Sequence, residues 1–139
     1  MRRRLLSAVV LLTGLAVTAG GCKFDGAYDL PLPGSPVDED NSFEVTAEFQ
    51  DILNVVPKSP VMVDDVTVGE VTDVERVGWH AKLTMRIKND VDLPDDAIAD
   101  IRQVSLLGEK YVALEAPAGG GEGRLSDGDN IPLADTGRN

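Results

Sequence analysis

The stretch HAKLTMRIK, residues 80–88, alternates without a slip. Ala81, Leu83, Met85 and Ile87 fall on one side; His80, Lys82, Thr84, Arg86 and Lys88 fall on the other. A period of two sends successive side chains to opposite faces of a strand, so this segment predicts a strand half-buried against a core. Working outward, FEVTAEF at residues 43–49 repeats the pattern, with Phe43, Val45, Ala47 and Phe49 on the apolar side. Between the two lies VMVDDVTVGEVTDVERVG, residues 61–78. It reads as two β runs joined by a tight Asp64-Asp65 turn. The valine phase breaks at Gly69, which predicts a bulge or bend. The preceding DILNVVPKSPV is a loop with one helical turn at most, closed by Pro57 and Pro60.

Downstream, AIADIRQV and KYVALEA are two more short strands, and IPL at residues 131–133 is a candidate last one. NDVDLPDDA and the glycine-rich PAGGGEGRLSDGDN connect them. No helical period is visible in the body of the chain. Many short strands separated by turns predict an all-β domain, a small antiparallel barrel or sandwich. At 139 residues and 42% hydrophobic composition, one such domain accounts for the chain.

The first residues carry a different signal. Arg2, Arg3 and Arg4 precede an apolar run over residues 5–17, followed by Thr18, Ala19, Gly20, Gly21 and Cys22. The run is shorter than the ~20 residues a membrane span needs. A basic start, a short apolar stretch and small residues make an export signal. AGGC, residues 19–22, is similar to a bacterial lipobox, in which the cysteine sulfur receives a diacylglycerol and becomes the new N-terminus. Cys22 is therefore the expected lipid anchor; an uncleaved anchor with an incidental cysteine is the alternative. Residues 22–41, with three prolines and an acidic run, read as an extended tether.

Charge excludes several classes. The chain has 13 Lys and Arg against 24 Asp and Glu, a formal net charge of −11. Loss of residues 1–21 removes three arginines and no acid, which takes it to −14. Backbone binding to nucleic acid needs clustered cations, and none occur beyond the first residues. A lone cysteine forms no intrachain disulfide. His80, the single histidine, sits on the polar face of its strand with no nucleophile nearby in sequence, so catalysis is not expected. Asp64-Asp65 and Asp95-Asp96 have turn chemistry and lack the ligand spacing of a calcium loop. The glycines at 119–121 lack the Lys-Ser or Lys-Thr that follows in a phosphate loop. No enzyme activity, metal or other cofactor is expected.

One oddity remains. In QVSLLGEKYVAL, residues 103–114, Leu106 and Leu107 stand just before Gly108, where a turn normally carries polar residues. From the residues alone they fit a filled core, a subunit contact, or an apolar surface that meets something greasy.

Taken together, VDDVTVGEVTDV, LTMRI, LPDDAIADIRQVSLLGEKYVAL and LSDGDNIPL resemble the mammalian-cell-entry (Mce) or MlaD family over about residues 43–133. The lipobox, FDGAYDLPLPG and the closing TGRN resemble the lipoprotein, E-type subunit of actinobacterial Mce operons. The resemblance implies a signal peptide at 1–21, a linker at 22–41, a seven-stranded MCE/MlaD β-barrel at 42–134 and a tail at 135–139. The long helical region that follows the domain in this family is absent from these residues, which implies either a chain truncated after the domain or a protein that ends at the ring. The resemblance also implies a ring of six domains around a central pore. Leu106, Leu107 and Gly108 match the loop that lines that pore. Implied partners are other Mce subunits, a YrbE-type permease, a cytoplasmic ATPase and a hydrophobic lipid: sterol, fatty acid or phospholipid. The expected location is the outer face of the plasma membrane or the periplasmic space, lipid-anchored. The competing function is an envelope lipoprotein adhesin with no transport role.

Overall fold

A computed structural model describes residues 37–105 and 108–137. The expected signal peptide, Cys22, most of the linker and the leucine pair Leu106 and Leu107 lie outside the described residues.

Seven strands form a single sheet: β1 Ser42–Phe49, β2 Pro60–Val63, β3 Val66–Val77, β4 His80–Lys88, β5 Ile98–Gln103, β6 Lys110–Glu115 and β7 Asn130–Ile131. Their order across the sheet is β5-β6-β2-β3-β4-β1-β7. The sheet curls until its edges meet. Ala99 of β5 bridges Thr136, just past β7, and the Gly137 amide donates to the Ala99 carbonyl at 2.9 Å. Short 3-10 turns, Glu39–Asn41 and Leu133–Asp135, flank the strands. Within the stretch assigned to the linker, Val37 is buried and Arg86 donates to Glu39 at 2.8 Å.

The alternating segments behave as their pattern requires. Val45, Ala47 and Phe49 of β1 and Leu83, Met85 and Ile87 of β4 are fully buried. They pair across an antiparallel ladder running from Ser42 opposite Lys88 to Phe49 opposite Ala81. With Val61, Val71, Ile101, Val112, Leu114, Leu125 and Ile131 they fill the inside of the curl. Burying each large apolar side chain contributes about 1.5–3 kcal/mol.

The phase break in β3 resolves into two bulges that flank Gly69. Against β2 the register skips Val68, and against β4 it skips Thr72. Gly69 itself lies so close to β4 that a Cβ would stand 2.4 Å from the Arg86 carbonyl oxygen. The Asp64-Asp65 turn has positive φ at both residues, 48° and 64°, the two-residue connection that matches strand twist. Two further findings depart from a purely antiparallel reading. β2 pairs β6 in parallel, and β1 pairs β7 in parallel. The segment IPL contributes only Ile131 to β7 and then turns into Leu133–Asp135. Pro132 has no amide to continue the ladder.

These pairings sort the connections onto the two ends of the barrel. Segments 50–59, 78–79 and 104–109 emerge at one end; 64–65, 89–97 and 116–129 emerge at the other.

Candidate functional site

The sequence points to the β5–β6 connection, and the structure shows how it is built. The two strands pair over six residues, from Ile98 opposite Glu115 to Gln103 opposite Lys110. Their inner side chains, Ala99, Ile101, Val112 and Leu114, belong to the core. Outside, Arg102 Nη1 donates to Glu115 Oε1 at 2.7 Å, and its Nε donates to Asp100 Oδ2 at 3.3 Å. These two carboxylates, Glu115 first, hold the guanidinium's proton affinity above its ordinary value. The hairpin is thus fastened on both faces.

Its neck is closed by main-chain bonds. The Val104 amide donates to the Glu109 carbonyl at 2.9 Å, and the Gly108 amide donates to the Ser105 carbonyl at 3.0 Å. Gln103 Nε2 donates to the Ser105 carbonyl, and Lys110 Nζ donates to Gln103 Oε1 at 3.1 Å. Gly108 has φ +91°, a left-handed conformation that disfavours any side chain. Leu106 and Leu107 are the two residues between Ser105 and Gly108 in the chain. Val104, beside them, is half exposed. Polar groups hold the neck while the sequence puts apolar residues at its tip.

Among the described residues, the polar groups of His80 and Glu70 stand apart from one another. His80 Nε2 lies 3.6 Å from Glu48 Oε2 on the outer face of the sheet. Buried Glu70 accepts from Lys58 Nζ at 2.9 Å and braces the 50–59 segment against β3. Among the described residues, no three His, Cys, Asp or Glu side chains are grouped to hold a metal ion. No helix among them is long and apolar enough to cross a membrane.

One exposed residue escaped the sequence reasoning: Trp79, in the β3–β4 turn at the same end of the barrel as the β5–β6 tip. Its only sequence signal is an aromatic beside Gly78, between two alternating runs, where a turn calls for a small polar residue.

The family model for the MlaD protein matches residues 41–117, more than half of the chain and all of the sheet except β7. The chain belongs to the MlaD/Mce family. Among curated relatives of this family, Lipoprotein LprN of Mycobacterium tuberculosis H37Rv is 39% identical over 144 residues, covering 99% of this chain and 37% of LprN. The intermembrane phospholipid transport system binding protein MlaD of Escherichia coli K12 is 33% identical over 97 residues, covering 65% of this chain and 52% of that protein. The chain therefore spans between a third and a half of the length of these relatives. Among solved structures, a chain of the Acinetobacter MlaFEDB complex in its ATP-bound state has a TM-score of 0.63 at 17% identity, covering all of this chain and 94% of that one. That similarity shows a shared MlaD fold.

Proposed function

We propose that this MlaD/Mce chain is a lipid-anchored, non-enzymatic subunit of an Mce-type lipid transport system. In this reading six related domains form a ring, and the Leu106-Leu107 turn of each lines a central path for sterols, fatty acids or phospholipids. The carrying observation is the β5–β6 hairpin of a domain of this family, whose six-pair ladder is joined by a segment that holds Leu106 and Leu107 in sequence. The MlaD relative is by its name the binding protein of a phospholipid transport system, and LprN is by its name a lipoprotein, which favours Cys22 as the anchored residue. On the outer face of the plasma membrane the ring would work with a permease and, through it, with a cytoplasmic ATPase.

The physics of the path is simple. Each CH₂ of a lipid tail left in water costs about 0.8 kcal/mol. A ring of leucines lowers that cost without a deep pocket, so the tail is sheltered yet free to move on. Replacing Leu106 and Leu107 with aspartate puts a pair of charges on the path for every copy of this chain in the ring. Lipid uptake by cells carrying the double variant is expected to fall to the level of a strain lacking the subunit, with the protein at normal abundance. Uptake at the wild-type rate would remove the pore role and leave an adhesin-like contact as the better account.

A further inference from the structure

Trp79 is the chain's single tryptophan, and it is 93% exposed. Gly78, at φ +63°, supplies the left-handed residue that the β3–β4 turn needs. The turn's geometry gives no reason for an indole next to it. Beside the indole runs a groove of about 410 Å³. Ile52, Val74 and Ala81 give it apolar walls, while Asp51, Glu75, Arg76 and His80 bring groups of both signs. His80 also faces Glu48 at 3.6 Å.

The charge of the whole barrel is polarised along its axis. The connections at the far end carry nine carboxylates: two in 64–65, four in 89–97 and three in 116–129. Arg124 is their lone cation. The connections at the Trp79 end carry Asp51, Glu109 and Lys58, and no other charge. That end also holds the exposed apolar side chains of Val56, Val77 and Val104. An acidic face is repelled by a membrane surface, which is itself negative wherever anionic lipids are present. The near-neutral end meets no such barrier.

We propose that the Trp79 end of the barrel docks on a zwitterionic phospholipid surface. The indole sits in the headgroup layer, with Arg76 and His80 toward phosphate and Asp51 and Glu75 toward the ammonium. Three features fit this occupant. Tryptophan settles at membrane–water interfaces because its body is apolar and its N–H is polar. Its ring face attracts an ammonium group through the cation–π interaction. A groove rimmed by both signs matches a ligand that carries both and gains nothing from one with a single charge. The docking surface shares its end of the barrel with the 104–109 connection, and it stands whether or not Leu106 and Leu107 line a transport path.

Because Trp79 is the single tryptophan, its own emission reports the contact in the unmodified full chain. The protein is reconstituted in vesicles of phosphatidylcholine, with and without bromine on the acyl chains. The expected result is a blue-shifted emission that brominated vesicles quench at least twofold, with loss of access to aqueous acrylamide. Replacing a third of the lipid with phosphatidylglycerol at low salt should weaken the quenching. Water-like emission, unquenched by bromine and open to acrylamide, overturns the proposal. A blue shift that grows with protein density but ignores bromine also overturns it, and assigns Trp79 to contact between copies of the chain. Stronger quenching with anionic lipid overturns the headgroup assignment. Lipid uptake enters none of these readouts, so failure here is distinct from failure of the transport reading.

Discussion

Replacing Gly69 with alanine adds one methyl group at the tightest point of the sheet. The new Cβ would stand 2.4 Å from the Arg86 carbonyl oxygen and 3.3 Å from both the Arg86 carbonyl carbon and the Ile87 Cα. Ordinary contact begins at 3.4 Å, so β3 and β4 must part by about 1 Å. All three atoms are main chain, and none can swing aside. β4 cannot retreat freely either, because β1 grips its other edge across eight residue pairs. Overpacking of this kind costs about 1–3 kcal/mol. A weakened ladder hydrogen bond beside it adds about 1 kcal/mol. The stiffer unfolded chain gives back about 0.4–1 kcal/mol. The net loss is about 1–3.5 kcal/mol, a large share of the roughly 5–15 kcal/mol that holds a domain together. With a urea slope of about 1–3 kcal/mol per molar, the unfolding midpoint should drop by about 1 M at mid-range values, and by at least about 0.3 M. Gly119→Ala is the control: its Cβ meets nothing within 4 Å, and only the φ of +107° opposes it, at about 1–2 kcal/mol. A Gly69→Ala midpoint within about 0.3 M of the native value, at equal slope, would refute the steric account.

Leu83→Ala empties a fully buried position between β1 and β3, and calorimetry should record a loss of about 2–5 kcal/mol with the fold retained. Asp65→Gly, at φ +64° in the β2–β3 turn, should raise stability by a few tenths to about 1 kcal/mol, seen as a higher Tm.

The strands at 43–49 and 80–88 were legible because their alternation states which side chains are inside, and a core must take them. The β5–β6 hairpin was legible from two short apolar runs around Gly108. Gly69 announced trouble through the valine phase, yet the placement of the bulges at Val68 and Thr72 depends on two neighbours pulling on one strand. The parallel β1–β7 and β2–β6 pairings leave no local mark, since they join segments more than fifty residues apart. For the candidate site, the oily pair at Leu106 and Leu107 could be read directly, whereas Trp79 drew no notice. An isolated aromatic has no period to betray it. Its placement at the same end as the β5–β6 connection follows only from strand order, as does the gathering of acids at the far end.

The curl of the sheet is shut by very little: the Ala99–Thr136 bridge and the hydrogen bond from Gly137 to Ala99. Everywhere else strand meets strand through longer ladders or a shared core. This seam is a clasp, able to spring while the rest of the wall stays intact. β5, the strand that leads into the leucine turn, lies along it. A tug on the closing segment would therefore reach β5 before any other strand.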